Sequence, residues 1–146
     1  MIAQIPMPTA TTHPIEISVV APVYNEELCI EEFMRRTDAA LRATGLSHEI
    51  VIVSDGSTDA TDRLLREGAA RYPSLRAVLL ARNIGQCGAL YAGIQHARGR
   101  VIVVTDGDLQ HKPEDIIVLY TKLQEGFTLV SGNRAGRKES LLTKRI

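Results

Sequence analysis

Five apolar runs alternate along the chain with longer stretches whose apolar residues recur every three or four positions, the two periods of strand and helix. The runs are Ile15 to Val23, Glu49 to Ser54, Leu75 to Ala81, Val101 to Val104 and Phe127 to Ser131. Between the first two, Leu28, Ile30, Phe33, Met34 and Leu41 share one helical face. Asn25 is suited to cap that helix and Gly45 to stop it after Thr44. A second helix over about 60–72 ends before Pro73. Asn83-Ile84-Gly85 opens a third, with Leu90, Ile94 and Ala97 inward and Gly99 beyond its end. Pro113 opens a fourth, whose core face is Ile116, Ile117, Leu119, Tyr120 and Leu123. Strict alternation with short connections predicts an α/β fold, a Rossmann-like parallel sheet with helices on both faces. The first and fourth strands, rich in β-branched residues, are expected to be buried.

Three strands stop at polar, turn-prone clusters: Pro22 to Glu26, Ser54 to Asp59, and Asp106 to Gln110. In a parallel sheet these ends share one edge, the edge at which open α/β sheets bind ligands. Asp106-Gly107-Asp108 puts two carboxylates two residues apart, where they repel and resist burial unless a cation or strong donor offsets them. Gly107 keeps the backbone between them thin, and Gln110 adds a neutral oxygen. Such hard oxygens suit Mg²⁺ or Mn²⁺. An Asp-Gly turn also ends strands that bind nothing. Gly85-Gln86-Cys87-Gly88 lacks the spacing of the dinucleotide fingerprint, and no Walker A lysine loop is present.

Composition narrows the classes. The 146 residues are one domain's worth, and 17 Lys/Arg balance 17 Asp/Glu, so no global field favours nucleic acid. A late basic stretch from Arg134 to Arg145 could face phosphate or lipid headgroups, or be a solvated terminus. Two cysteines without metal or redox spacing fit a reducing compartment, with Cys29 on the apolar side of the first helical pattern. The Pro/Thr-rich residues 1–14 lack the build of a signal peptide and form a flexible leader. No run of eighteen apolar residues occurs. The expected layout is leader 1–14, core 15–133 and basic segment 134–146. His111 is expected to be a solvated turn residue, and His96 a dipole partner at a helix end.

Together, Val20-Ala21-Pro22-Val23-Tyr24-Asn25-Glu26-Glu27, Asp55-Gly56-Ser57-Thr58-Asp59, Arg82-Asn83-Ile84-Gly85-Gln86 and Asp106-Gly107-Asp108-Leu109-Gln110 with Pro113-Glu114-Asp115 resemble the family 2 inverting glycosyltransferases. The likeness is to the polyprenyl-phosphate branch of cell-envelope glycan synthesis and covers roughly residues 15 to 140. It implies a GT-A nucleotide-diphosphate-sugar fold that continues past residue 146, and a UDP- or GDP-sugar donor. The implied donor site is Pro22, Tyr24, Asn25, Glu26, Asp55, Ser57, Arg82, Gly85 and Asp106. Asp106 and Asp108 are the implied catalytic pair. With Gln110 they would hold the divalent ion, and Arg134 would meet the acceptor phosphate.

A polyprenyl phosphate is the expected acceptor, because a phosphate monoester is already ionised at neutral pH and needs no base. Glu114 and Asp115 look like first-turn partners of a helix dipole. The alternatives are a saccharide hydroxyl acceptor or a binding module without turnover. The resemblance also implies a cytoplasmic protein at the inner membrane face, with membrane-surface contact and self-association both left open. Ser54 departs from the family, which usually has a second acid there.

Overall fold

The computed structural model describes residues 15–132 and shows four parallel strands and four helices in strict alternation. The strands are β1 (Ile17–Val23), β2 (His48–Ser54), β3 (Leu75–Leu79) and β4 (Val101–Val104). The helices are α1 (Ile30–Arg42), α2 (Thr61–Arg71), α3 (Gln86–His96) and α4 (Asp115–Leu123). The sheet order is β3-β2-β1-β4, so the chain winds outward from β1 and then returns to β1's other side. A right-handed crossover that reverses direction must change face. Accordingly α1 and α2 cover one face and α3 the other, while α4, which follows the last described strand, packs on the α1 side through Ile116.

The β1–β2 register pairs Ile17 with His48 and Val23 with Ser54. Odd positions Ile17, Val19, Ala21 and Val23 of β1 therefore share a face with Ile50 and Ile52, under Ile30, Phe33, Leu41 and Leu65. On the other face Val20, Val51 and Val53 pack against Ala89. Here α3 approaches closely because it presents small residues. A Cβ on Gly93 would come within 2.5 Å of Val20 Cγ1 and 2.9 Å of Val53 Cγ2.

Five expectations are corrected. The first helix begins at Ile30 rather than Asn25, because residues 26–29 form a turn. Leu28 lies in that turn and is 97% exposed instead of packed inward, and Cys29 is a half-buried N-cap residue instead of a core one. In α3 the buried positions are Ala89 and Gly93, whereas Ile94 is exposed. β4 is not a fully buried strand. Its Ile102 and Val104 align with Ser18 and Val20, on the face where α3 lies over β1 and β2, and both stay half-exposed.

The fifth strand is likewise absent among the described residues. Residues 127–132 are irregular, with Phe127 half-exposed and Leu129 83% exposed. Strand propensity needs a paired ladder to be realised, and no pairing with β4's outer edge occurs there.

At the amino-terminal ends of the strands Glu49 is buried at 2% exposure. Ser18 Oγ (2.7 Å), the Arg98 amide (2.6 Å) and the guanidinium groups of Arg98 (3.0 Å) and Arg76 (3.2 Å) all donate to it. This polar knot ties β1, β2, β3 and the start of β4 together at the end remote from the acidic turns.

Candidate active site

The order β3-β2-β1-β4 places the topological switch between β1 and β4, and a crevice opens there at the carboxyl ends of the strands. A cavity of about 400 Å³ lies in it, lined by Pro22, Val23, Tyr24, Glu26, Asp55, Asn83, Gly85, Gln86, Asp106, Gly107 and Asp108. Four carboxylates thus converge from three loops, and among the described residues no Lys or Arg lines the cavity.

Each loop is held by identifiable contacts. Asp55, 3% exposed, accepts from the backbone amides of Ile84 (2.8 Å) and Gly85 (2.9 Å), pinning the loop that starts α3 to the end of β2. Gly56 makes this approach feasible. Its φ is +66°, and a Cβ there would stand 2.4 Å from the Arg82 carbonyl carbon and 2.5 Å from Asn83 N. The 106–110 turn lies directly on β1, since a Cβ on Gly107 would meet Val23 Cγ1 at 2.4 Å. Asp108 Oδ1 accepts from the Gln110 amide (3.0 Å), closing the turn on itself.

Leu109, with φ +59°, has its side chain packed against the main core. A bulky side chain in the left-handed region costs on the order of 1–3 kcal/mol, and such strain persists only where its surroundings impose it. The residue before Leu109, Asp108, lines the cavity.

Of the expected donor-site residues, the fold gathers Pro22, Tyr24, Glu26, Asp55, Gly85 and Asp106 around one space, together with Asp108 of the expected metal pair. Asn25 and Ser57 do not line it; they brace two loops against each other. Asn25 adopts φ +53°, its amide donates to Ser57 Oγ (3.1 Å), and its Oδ1 accepts from Thr58 N (2.8 Å). Glu27 and Asp59 add a reciprocal pair, each carboxylate accepting a backbone amide from the other loop.

Arg82 and Gln110 are exposed and do not line the cavity either, and Arg134 lies outside the described residues. Ser54 is fully buried, its hydroxyl donating to Asp62 (2.5 Å) and paired with Ser57 Oγ (2.8 Å). The position that departs from the family is a buried strut. Glu114 makes a two-pronged contact with Arg36 (3.0 and 2.6 Å), tying α4 to α1, so it is an ion-pair partner before it is a dipole partner. His111 lies 4.0 Å from Asp106 Oδ2, a contact beyond the solvated-turn expectation.

Sequence reasoning passed over Asn83 and Gln86 as lining residues. Their presence in the Arg82 to Gln86 motif was the available signal, without a direction for either side chain.

Under the cavity, Cys29 Sγ donates to Glu26 Oε2 (3.1 Å) and approaches the Gly107 carbonyl (3.5 Å). Burial and the Glu26 carboxylate push its thiol up to about 12. The thiolate is the reactive form, so at about pH 8 a disulfide reagent is expected to modify exposed Cys87 at least about a hundredfold faster than Cys29. Timed mass spectrometry of the labelled peptides measures this. Equal rates would show that Cys29 is not held as described.

Whether the site suits a divalent ion is decided by its donors. Among the described residues no three His, Cys, Asp or Glu side chains form a closed cage. Two carboxylates in an open crevice match Mg²⁺ and Mn²⁺ bound through one or two carboxylates, with water and substrate phosphate completing the shell. The residues fit that use and do not fit a structural metal.

Residues 18–145 match the model of the family described as Glycosyl transferase family 2. An undecaprenyl-phosphate 4-deoxy-4-formamido-L-arabinose transferase from Klebsiella pneumoniae subsp. pneumoniae is 44% identical over 130 residues, 88% of this chain and 40% of the relative. The protein of that name from Pseudomonas aeruginosa is also 44% identical, over 88% of this chain and 38% of its own length. The chain therefore spans about two fifths of the length of these relatives.

Among solved structures, a mannosyltransferase from Pyrobaculum calidifontis in complex with GDP-Man and Mn²⁺ superposes with a TM-score of 0.56 at 28% identity. The match covers 72% of this chain and 31% of that one. Glucosyl-3-phosphoglycerate synthase from Mycobacterium tuberculosis with UDP gives 0.60 at 26% identity, covering 77% and 41%. With the parallel sheet, its switch-point crevice and the family match over nearly its whole length, this chain belongs to glycosyl transferase family 2 and has the GT-A nucleotide-sugar transferase fold.

Proposed function

We propose that the chain is the donor-binding part of an inverting transferase that moves a sugar from a UDP- or GDP-sugar to a polyprenyl phosphate. The observation that carries this is the convergence of Glu26, Asp55, Asp106 and Asp108 on a crevice that no Lys or Arg among the described residues lines. A diphosphate entering such a space meets like charge, so its binding requires a cation brought with it. Asp106 and Asp108 would hold that ion, with Gln110 reaching it only by reorienting its exposed side chain.

When bound, the ion supplies Lewis-acid stabilisation of charge on the departing nucleoside diphosphate. Pro22 and Tyr24 offer apolar surface to the base and ribose, and Tyr24, 46% exposed, is free to stack. Asp55 already accepts two amides, so its contribution to the base is through its remaining lone pairs and through the loop it pins. The acceptor phosphate attacks the anomeric carbon from the face opposite the leaving group, which inverts the configuration. Arg134 is suited to meet a phosphate by its charge and fork of donors. The lipid phosphate is supported by the undecaprenyl-phosphate transferases at 44% identity. Such an acceptor would put the reaction at the cytoplasmic face of a membrane; among the described residues no helix is long and apolar enough to cross one.

Calorimetric titration of UDP and of GDP, each with and without Mn²⁺, into this chain and its Asp108→Asn variant tests the donor site. One nucleotide should bind only with Mn²⁺, and at least about tenfold more weakly in the variant. Binding of neither nucleotide, or binding indifferent to Mn²⁺ and to the substitution, would overturn the proposal.

A further inference from the structure

The first residue of α3 reaches across the crevice. Gln86 Nε2 lies 3.2 Å from Asp106 Oδ1 and donates to it, joining the start of α3 to the end of β4. The contact is not a consequence of helix capping. Gly85 occupies the N-cap at φ +88°, no side chain caps the helix, and the Gln86 amide points away from its own backbone to a carboxylate twenty positions on. What carries Gln86 to this place is anchored on the buried Asp55. Asp55 holds the two preceding residues by their backbone amides, and Gly56 admits the Arg82–Asn83 backbone against the end of β2.

We infer that Gln86 is a positioning residue for Asp106. Its amide donates to Oδ1 and fixes the plane in which the carboxylate would meet a divalent ion brought by the donor. The inference rests on the donor-site reading above and deepens it. A neutral amide suits this role chemically. It donates to the carboxylate without the charge of Lys or Arg, which would compete with the ion for Asp106. Partners that orient ligating carboxylates are worth about 10–100-fold in metal affinity. Gln86 is exposed and its bond spans an open cavity, so the lower end of that range is expected.

The experiment compares the parent chain with Gln86→Met, which keeps the length and helix preference of the side chain and deletes the amide. Mn²⁺ affinity is read by electron paramagnetic resonance in the presence of the nucleotide that binds. The melting temperature is measured alongside. Expected is about a tenfold loss of Mn²⁺ affinity in Gln86→Met, with the melting temperature unchanged. In an Asp106→Asn background the same substitution should cost less than about twofold, because a residue acting through Asp106 has nothing left to orient.

Parent-like Mn²⁺ affinity in Gln86→Met would overturn the inference, as would an undiminished loss in the Asp106→Asn background. A parent chain that binds no nucleotide with Mn²⁺ would remove the donor-site reading itself and this inference with it. Failure of Gln86→Met alone leaves the donor site standing.

Discussion

Gly56→Ala is expected to destabilise the chain by about 3 kcal/mol and to weaken metal-dependent nucleotide binding even where the variant remains folded. Two costs add. Moving a residue with a Cβ into the left-handed region takes about 1–2 kcal/mol. The new methyl would also lie 2.4–2.8 Å from three backbone atoms of Arg82 and Asn83. Backbone cannot rotate aside as a side-chain end can, and overpacking of this kind costs about 1–3 kcal/mol. The strain would be relieved by moving the 82–85 loop, which withdraws the amides of Ile84 and Gly85 from Asp55.

Gly45→Ala is the matched control. Its φ of +70° is nearly the same, but nothing lies within 4 Å of the new Cβ, so only the conformational part is lost. Urea midpoints of the two variants isolate the steric part. Equal losses would show that the close approach of Arg82–Asn83 is not what requires glycine at 56.

Glu49→Ala is expected to cost a similar amount, about 3 kcal/mol, by a different route. The substitution removes the acceptor shared by Ser18 Oγ, the Arg98 amide and two guanidinium groups. Breaking a buried pair from one side typically costs about 3–5 kcal/mol. The lower end applies because the side chains of Arg76 and Arg98 are 37% and 60% exposed and can rehydrate.

The same group carries a pH signature. Burial pushes the Glu49 carboxyl up, but hydrogen bonds from Ser18, Arg98 and Arg76 outweigh it and hold the group below the usual carboxylate range. A depressed folded value means that the contribution is fully present above the unfolded value of about 4.3 and is lost as pH falls through the folded one. The stability gap between the parent and Glu49→Gln should therefore be constant from about pH 5 to 8 and narrow only below about pH 4. Chemical denaturation across that range measures it. A gap that widens on acidification would mean that the carboxyl is protonated more readily in the folded chain.

The element order, the parallel topology and the acidic turns were legible in the sequence, because hydrophobic period and turn chemistry are local properties encoded within ten or so residues. β1, β2 and β4 end within a residue or two of where the apolar runs stop. Asp106-Gly107-Asp108 could be assigned to a strand's carboxyl end without knowing its neighbours.

The destination of each polar group could not be read in this way. The β1–β2 register sets residues 31 positions apart side by side, and the loops that leave those strands inherit the offset. That is why Asn25 meets Ser57 and Thr58 instead of facing the cavity. The same reach across the sheet leads Asp55 to two backbone amides of the α3 loop, buries Ser54 against Asp62, and brings Gln86 to Asp106. The Phe127 to Ser131 run shows the converse limit. Its composition suits a strand, but a strand exists only where a neighbouring edge completes its hydrogen bonds, and pairing is a property of the assembled sheet. The sequence by itself determined which chemical groups arrive at the carboxyl edge; the tertiary structure decided which of them face the crevice and which are spent on one another, because hydrogen-bond partners are chosen by proximity in space.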